Sequence, residues 1–344
     1  MRTAVILFNL GGPDKLDSVE PFLFNLFNDP AILNLPSFFR FPLAKLIANR
    51  RAPTAKKIYQ ELGGSSPILK LTEEQSQALE IKLNKNDDLA DYKCFVVMRC
   101  WHPRAENVVK EVINYNPDEI ILMPLYPQYS AATSGSSIKE WNNVCLKNNL
   151  KVKTSTICCY PTDKNFVEAH KNEIIKKINN LKNFKLIFSA HGLPEKNIKK
   201  GDPYQWQVEQ SVKEIVKSLN IKDLNWILSY QSRVGPLKWI GPSTEDIIVE
   251  NSKLGKHIVL VPVAFVSEHS ETLVELDIEY KELAEKNGCK NYSRVPALGV
   301  NENYIKAMSD LIIHKKEYNF NDELFPPKTQ CPSQFKKCPC LSYE

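Results

Sequence analysis

The feature of the sequence that most constrains the fold is an alternation of short hydrophobic segments with longer amphipathic ones. The hydrophobic segments are continuous enough to be parallel strands covered on both faces. They lie at residues 3–10, 94–99, 119–126, 152–160, 185–191, 225–231, 257–265 and 293–298. Segments with a helical hydrophobic period lie between them, at residues 72–85, 104–115, 165–181, 204–219 and 271–288. Thr72 is predicted to cap the first of these helices. This alternation predicts an α/β fold with parallel sheets.

The predicted strands divide into two sets of four that look alike. Residues 5–13, VILFNLGGP, resemble residues 186–194, LIFSAHGLP, and residues 120–126 resemble residues 258–264. We therefore predict two similar doubly wound, Rossmann-like halves with parallel four-stranded sheets and a cleft between them. The predicted parts are an N-terminal half at 1–155, a C-terminal half at 156–320 and a cysteine-bearing tail at 321–344. Ligands of doubly wound sheets bind beyond the carboxyl ends of the strands, so residues that follow strands are the first candidates for a site.

Composition and motif absences argue against several classes of protein. A net charge of +5 over 344 residues is too small to suggest nucleic-acid binding. The first apolar run, Ala4 to Phe8, is too short for a secretory signal, and no apolar stretch is as long as a membrane span. Neither the dinucleotide-binding nor the P-loop glycine pattern is present. Nine cysteines without a secretory signal predict a reducing, cytoplasmic setting, where clustered thiols often bind metal.

The first candidate segment is FSAHGLPEKNIKKGDPY, residues 188–204. His191 directly follows a predicted strand, and Gly192 allows the chain to turn closely after it. A neutral imidazole in this place can accept a proton near pH 7 or bind ferrous iron. A histidine satisfied by its neighbours in a turn fits the same pattern.

The second candidate segment is FVSEHSETLVELDIEY, residues 265–280, at a strand end and helix start. Glu271 and Glu275 are four residues apart and therefore share one helical face. Two neighbouring carboxylates repel each other, so one of them is expected to hold a proton near neutrality, which suits a proton relay. Glu268 and His269 lie just before this pair. The alternative is a solvated acidic first turn, which is favourable at a helix N-terminus.

The third candidate is the tail, where Cys331, Cys338 and Cys340 form the pattern C-x6-C-x-C. Three thiolates this close suit an iron–sulfur cluster or zinc, and both usually have four ligands. The adjacent pair Cys158 and Cys159 can supply the fourth. A tail with free thiols is the simpler alternative.

The fourth candidate is an apolar lip at residues 21–57, which is rich in Phe, Leu and Ile and is predicted to be broken by Pro30, Pro36 and Pro42. Asp29 and the prolines exclude a membrane span. An apolar surface with a basic flank fits peripheral contact with a bilayer; the flank consists of Arg50, Arg51, Lys56 and Lys57. The alternative is that the lip covers the cleft.

Six segments resemble motifs of the ferrochelatase family, in the order in which the family has them. They span about residues 4–315 and are NLGGPD (9–14), MRCWHP (98–103), LYPQYSAATSGSS (125–137), residues 186–204, YQSRVGPLKWIGPSTED (230–246) and residues 265–280. The resemblance implies insertion of Fe2+ into protoporphyrin IX, which gives protohaem and two protons as the terminal step of haem synthesis.

The resemblance also implies roles for individual residues. His191 would be the principal base or contact of the Fe2+ substrate, with Glu271 opposite, and Glu268, His269 and Glu275 would extend the polar path. Trp239 and Tyr129 would pack against the macrocycle. Arg99 would pair with a propionate, although a structural ion pair fits equally well.

For the tail, the resemblance implies a [2Fe-2S] cluster held by Cys331, Cys338, Cys340 and the internal Cys158, with Cys159 as the alternative internal ligand. It further implies peripheral association with the inner membrane and is compatible with a homodimer. Two alternatives remain: a porphyrin or haem carrier without turnover, and another tetrapyrrole metal insertase. A carrier needs no proton exit, so acidic residues near His191 favour the enzyme. The choice between protoporphyrin and coproporphyrin stays open.

Overall fold

The computed structural model describes residues 1–233, 235, 237–317, 324–325 and 331–339, with the backbone alone at 315–317 and 324–325. The strands are β1 (Arg2–Asn9), β2 (Asp91–Met98), β3 (Glu119–Pro124), β4 (Lys153–Ile157), β5 (Phe184–His191), β6 (Trp226–Gln231), β7 (His257–Pro262), β8 (Tyr292–Arg294) and β9 (Leu324–Phe325).

The α-helices are α1 (Val19–Phe27), α2 (Ser37–Glu61), α3 (Ile68–Asn86), α4 (Ala105–Tyr115), α5 (Ser134–Lys147), α6 (Lys164–Ile178), α7 (Glu195–Lys199), α8 (Tyr204–Leu219), α9 (Thr244–Lys253), α10 (Tyr280–Lys286) and α11 (Glu302–Glu317). A 3-10 turn at Leu16–Ser18 precedes α1, and a π-helix at Glu271–Glu279 precedes α10.

The chain divides into two compact units. The first comprises residues 1–159 and 308–328, and the second comprises residues 160–307 and 329–344. Each unit contains one sheet in which every strand pair is parallel, with strand order β2-β1-β3-β4-β9 in the first and β6-β5-β7-β8 in the second. The predicted α/β class with two parallel doubly wound sheets is therefore confirmed.

The first sheet has five strands where the sequence predicts four. The additional strand, β9, is only two residues long and pairs with Thr156 and Ile157 at the edge of β4. A two-residue pairing is too short to produce a hydrophobic pattern in the sequence, so the prediction missed it.

Burial explains why the central strands were easy to recognise. From Thr3 to Asn9, every residue of β1 is buried, and so is all of β3. On one face of this sheet, Phe8 packs edge-on against Trp141 of α5, with ring centroids 6.1 Å apart. Strands covered on both faces have no polar alternation, which gives the continuous apolar runs seen in the sequence.

Two local predictions in the first unit were wrong. Thr72 was expected to cap a helix, but it lies inside α3, where its hydroxyl donates to the Ile68 carbonyl at 2.6 Å. Pro42 was expected to interrupt the apolar lip, but it lies within α2 together with Pro53. In the part of the chain that the structure describes, no helix has both the length and the apolar character needed to cross a bilayer.

Candidate active site

His191 is the last residue of β5 in the second unit, and Gly192 makes its position possible. A Cβ on Gly192 would lie 2.9 Å from the Gln231 carbonyl, to which the Gly192 N–H donates at 2.9 Å. The ring Nδ1 of His191 lies 2.7 Å from the Gly192 carbonyl. A carbonyl can only accept, so Nδ1 carries the proton in the neutral ring and Nε2 keeps its lone pair.

Glu271 lies opposite the free nitrogen of this ring. Its Oε1 is 3.7 Å from His191 Nε2, and both side chains are partly exposed. This separation is longer than a hydrogen bond. The two residues that the sequence placed at the centre of the site therefore lie close together in the second unit, with both side chains partly exposed.

Glu275 is the most strongly held carboxylate of the site. It accepts hydrogen bonds from the Ser232 main-chain N–H at 3.0 Å and the Ser232 hydroxyl at 2.6 Å. The Tyr280 hydroxyl donates to it at 2.9 Å and the Gln231 amide at 3.3 Å. Burial raises the pKa of Glu275, and the nearby charge of Glu271 raises it further. The pair thus has the electrostatics expected of neighbouring carboxyls.

The segment that carries both glutamates is a π-helix, which the sequence did not predict. The Tyr280 N–H bonds to the Glu275 carbonyl, five residues earlier. π-helical turns are rare and often lie at functional sites. The sequence predicted that Glu271 and Glu275 would share one face, and the Ser232 hydroxyl indeed contacts both, at 3.3 Å and 2.6 Å.

Glu268 and His269 precede the π-helix and have different surroundings. Glu268 Oε1 accepts hydrogen bonds from Arg294 at 2.9 Å and from the Ala297 N–H at 2.9 Å. His269 packs its ring against Phe265, with centroids 4.6 Å apart, and its Nδ1 is 3.1 Å from the Ser267 carbonyl. Burial lowers the pKa of His269, which favours its neutral form.

Trp239 lies beside His191 because a short antiparallel bridge joins it to Pro194. Its ring atom Cε3 would be 3.3 Å from a Cβ on Gly192. The indole is partly exposed, and its buried Nε1 has no hydrogen-bond partner among the described residues. The indole ring of Trp239 therefore lies next to Gly192, the residue that follows His191.

Arg99 and Tyr129 belong to the first unit. The Arg99 guanidinium pairs with Asp29 at 2.8 Å and Glu140 at 3.1 Å, and its Nε donates to Ser136 Oγ at 2.7 Å. This is the structural ion pair that was considered beside a propionate contact. Tyr129 is buried, and its hydroxyl would be 2.6 Å from a Cβ on Gly135.

The predicted cluster ligands are distributed over both units. Cys158 and Cys159 follow β4, are buried, and have sulfurs 3.2 Å apart. Cys331 and Cys338 are buried in the second unit, and Cys340 lies outside the described residues. None of the described cysteines forms a disulfide, and the described residues contain no group of three or more candidate metal ligands.

Cys331 lies in a buried setting beside a second thiol and an amide donor. A hydrogen bond with Cys338 brings the two sulfurs together and, with burial, raises the pKa of Cys331. The Gln207 amide donates to Cys331 Sγ at 3.3 Å, the type of contact that tunes metal–thiolate centres. Phe335 covers the pair and packs against Trp206 at 6.0 Å. Cys331 and Cys338 are therefore neighbouring buried thiols, which is the spatial relationship that two ligands of one metal centre need.

Comparison with known proteins decides the family. A family model described as ferrochelatase matches residues 2–316. The chain belongs to the ferrochelatase family. Ferrochelatases insert Fe2+ into protoporphyrin in haem synthesis, and this metal insertion is the activity of the chain.

Three bacterial ferrochelatases match over 96% to 100% of their own length. The ferrochelatase of Pelagibacter ubique (strain HTCC1062) is 79% identical over 344 residues, which is 100% of each chain. That of Rickettsia bellii (strain OSU 85-389) is 49% identical, covering 99% of this chain and 96% of the relative. That of Wolbachia sp. subsp. Drosophila simulans (strain wRi) is 51% identical over 317 residues, 91% of this chain and 99% of the relative.

Solved structures support the fold. SirB from Bacillus subtilis with Fe3+ has a TM-score of 0.56 at 13% identity and covers 93% of this chain and 99% of its own. The sirohydrochlorin chelatase SirB from Bacillus subtilis subspecies spizizenii, in complex with cobalt, has a TM-score of 0.55 at 13% identity, covering 93% and 97%. At this identity the likeness shows a shared fold alone.

Four residues that hydrogen-bond to Glu275 or Glu268 were not named as candidates from the sequence: Ser232, Gln231, Tyr280 and Arg294. Ser232 and Gln231 lie in the YQS motif at the end of β6, so their position was a usable signal. Tyr280 is the last residue of the 265–280 motif, which was a similar signal, whereas Arg294 lies outside all six motif segments.

Proposed function

We propose that His191 accepts the pyrrole protons and contacts the incoming Fe2+, with Glu271 as the second contact of the metal. The observation that carries this proposal is the 3.7 Å separation between His191 Nε2 and Glu271 Oε1. Both pyrrole N–H protons must leave as the metal enters, so the reaction needs bases with accessible lone pairs. The Nδ1 contact with the Gly192 carbonyl supports a tautomer whose Nε2 is such a base.

Glu275 is the next acceptor of protons in this proposal. Its raised pKa brings it closer to neutrality, where a relay group works best. The hydrogen bonds from Ser232 and Tyr280 hold it in place while its charge changes. His269 and Glu268 extend the path. Burial favours the neutral form of the His269 ring. The Arg294 contact of Glu268 makes it the more rigid of the two.

Trp239 is the proposed aromatic wall of the porphyrin site, and its place beside Gly192 supports this role. A rigid wall that favours a bent macrocycle over a flat one binds the transition state more tightly than the substrate. Tyr129 is proposed as a second aromatic contact. For Arg99, its ion pairs with Asp29 and Glu140 favour a structural role over a propionate contact.

His191→Ala tests the central assignment. Iron insertion, followed by the loss of the free-base porphyrin spectrum, should fall by about 100-fold or more because the general base is missing. Porphyrin binding, measured by fluorescence quenching, should survive. The matched control is His314→Ala, which removes an exposed histidine on α11. Near-wild-type turnover of His191→Ala would contradict the role, and binding without insertion by the wild type would favour a carrier.

A [2Fe-2S] cluster held by Cys158, Cys331, Cys338 and Cys340 is the proposed cofactor. The paired sulfurs of Cys331 and Cys338 and the Gln207 donor support it. When bound, such a cluster supplies a one-electron redox centre. Cys340→Ser should remove the visible absorption of anaerobically purified protein, while Cys145→Ser, on α5, should keep it. Wild-type protein that contains zinc and no sulfide would contradict the cluster.

The apolar lip is the proposed site of peripheral contact with the cytoplasmic face of the inner membrane. Phe38, Phe39 and Phe41 on α2 are 69%, 58% and 54% exposed, which is unusual for phenylalanine. Exposed apolar patches of this kind mark interaction sites. Co-sedimentation with anionic vesicles should fall when all three are replaced by serine. Unchanged co-sedimentation would contradict the contact. A homodimer stays a prediction, to be tested by analytical ultracentrifugation.

A further inference from the structure

Two side chains of the edge strand β8 hold the π-helix. Tyr292 and Arg294 are two residues apart and therefore point to the same side of the sheet. The Tyr292 hydroxyl donates to the Leu276 carbonyl at 2.5 Å. Arg294 binds the Asp277 carboxylate with two parallel bonds, from Nε at 2.8 Å and Nη2 at 2.6 Å. Two consecutive residues of the π-helix are thus held in place, Leu276 through its main-chain carbonyl and Asp277 through its side chain.

Arg294 also reaches the chain before the π-helix. Its Nη1 donates to Glu268 Oε1 at 2.9 Å. The Arg294 side chain is only 8% exposed, so the guanidinium itself is largely shielded from water. Bidentate Arg–carboxylate pairs are among the strongest and most directional side-chain contacts. One guanidinium therefore ties together residues on both sides of Glu271.

The π-helix needs such support because it is a rare conformation. Its i→i+5 bonds give more residues per turn than the i→i+4 bonds of an α-helix. Relaxation to an α-helix would rotate Glu275 relative to Glu271. The present geometry lets both carboxylates reach the Ser232 hydroxyl, at 3.3 Å and 2.6 Å. A rotation between them would break at least one of these contacts.

We propose that Tyr292 and Arg294 are positioning residues for metal insertion, which hold the π-helical turn so that Glu271 and Glu275 face Ser232 together. This proposal rests on the roles proposed above for the two glutamates. Neither Tyr292 nor Arg294 hydrogen-bonds to Glu271 or Glu275, and only Arg294 contacts a further group of the proposed proton path, Glu268. Their effect on turnover passes through the geometry of the π-helix.

The contacts of Tyr292 with Leu276 and of Arg294 with Asp277 together form what we call the brace. Asp277→Asn and Tyr292→Phe are the decisive variants because each removes part of the brace and keeps the shape of the side chain. Asp277 is 38% exposed, so the variant is expected to fold. We expect kcat for iron insertion to fall about tenfold in each, as happens when catalytic groups are misplaced. The KM for porphyrin should stay within about twofold, because the porphyrin contacts are unchanged. Amide hydrogen exchange at residues 271–280 should become faster than in the wild type.

Arg294→Lys and Arg294→Met should weaken the contact with Asp277 to different degrees. Lysine keeps the charge but cannot make the bidentate pair, so it should retain part of kcat, and methionine should retain less. Tyr304→Phe is the matched control for Tyr292→Phe, since it removes a buried hydroxyl that contacts Tyr160 in the same unit at 3.0 Å. The control should leave kcat unchanged.

Three outcomes separate the explanations. Wild-type kcat in Asp277→Asn and Tyr292→Phe would overturn the proposal. A parallel loss of thermal stability, kcat and porphyrin affinity in both variants would also overturn it, because that result indicates a general structural role. If Glu271→Gln keeps full turnover while the β8 variants lose it, the proposed role of Glu271 fails, and with it this reason for the brace.

Discussion

The hydroxyl of Ser232 lies 2.6 Å from one oxygen of Glu275 and 3.3 Å from an oxygen of Glu271. A hydroxyl has one proton to donate, so it can satisfy only one of the two carboxylates as a donor. It can accept from the other only when that carboxyl is protonated. The raised pKa of Glu275, caused by burial and then by Glu271, fits a pair that shares a proton.

Removal of the Ser232 hydroxyl should therefore shift the pH dependence of turnover. Ser232→Ala and Ser232→Gly both remove a donor that stabilises the charged form of Glu275, so its pKa should rise further. A base must be deprotonated to accept a proton, so the acidic limb of the pH–kcat profile should move to higher pH in both variants. An acidic limb that stays in place would contradict the role of this hydroxyl.

The two Ser232 variants also separate the hydroxyl from the backbone. Ser232 has a φ of 59°, in the left-handed region that favours glycine. Ser232→Gly should be more stable than Ser232→Ala by about 1 kcal/mol, as measured by urea unfolding. Equal stability of the two would show that the backbone at this position is not strained.

A buried ion pair in the first unit gives a prediction about stability. Asp29 is almost fully buried, pairs with Arg99 at 2.8 Å and accepts from Ser136 Oγ at 2.5 Å. Asp29→Asn leaves Arg99 with a single acidic partner, so the free energy of unfolding should fall by about 3 kcal/mol. Asp17→Asn, an exposed neighbour in sequence, should change it by less than about 0.5 kcal/mol. Similar losses in both would contradict a structural role for this network.

The strands could be predicted, and the candidate residues of the proposed site could be named, because their signals are local. The buried strands are continuous apolar runs, and His191 directly follows one of them, where ligands of doubly wound sheets bind. Glu271 and Glu275 were recognisable by their spacing and by the family motif that contains them. In each case, residues close in sequence carry the information.

The missed features depend on contacts between residues distant in sequence. Arg294 and Asp277 are 17 positions apart, and nothing in the spacing of charges indicates that they pair. The hydrophobic period of residues 271–288 predicts one α-helix. The first half of this segment is instead a π-helix, and it accepts hydrogen bonds from Ser232 and Tyr292. Threonine is a common helix N-cap, so Thr72 was predicted to start a helix. The helix α3 begins earlier, and its N-cap residue is Pro67.

A buried histidine outside the site should make stability depend on pH. His170 of α6 packs edge-on against Phe166, and among the described residues neither ring nitrogen has a hydrogen-bond partner. Burial lowers the pKa of His170 to about 3, from an ordinary value of 6.5. Between these values the unfolded chain binds a proton that the folded chain does not, so stability falls as pH falls below 6.5.

The size of this effect follows from the pKa difference. At pH 5 the contribution of His170 should be about 2 kcal/mol less favourable than at pH 7.5. Urea unfolding at the two pH values measures it. His170→Leu should lose this part of the pH dependence, while His314→Leu should keep it. The same pH dependence in His170→Leu and the wild type would contradict the assignment.

Gly201 belongs to the KGDPY segment, residues 200–204, and contacts the segment that carries Cys331 and Cys338. Replacement of Gly201 should separate these two segments. Gly201 has a φ of 88°, and a Cβ there would lie 2.9 Å from the Lys336 main-chain nitrogen. Its carbonyl accepts from the Lys337 N–H at 3.1 Å. Gly201→Ala should therefore displace residues 334–337 and draw Phe335 away from Trp206. The tryptophan fluorescence should change, and the absorption of the proposed cluster per chain should fall, because Cys338 is displaced with them.

The matched control isolates this clash from backbone strain. Gly255 lies in the same unit with a φ of 66°, and nothing lies within 4 Å of a Cβ placed there. Gly255→Ala therefore adds left-handed strain of about 1 kcal/mol without any contact to the segment. It should lower the unfolding midpoint slightly and leave both optical signals unchanged. If Gly201→Ala behaves in the same way, the contact at Gly201 does not hold the cysteines in place, because strain alone then accounts for its effect.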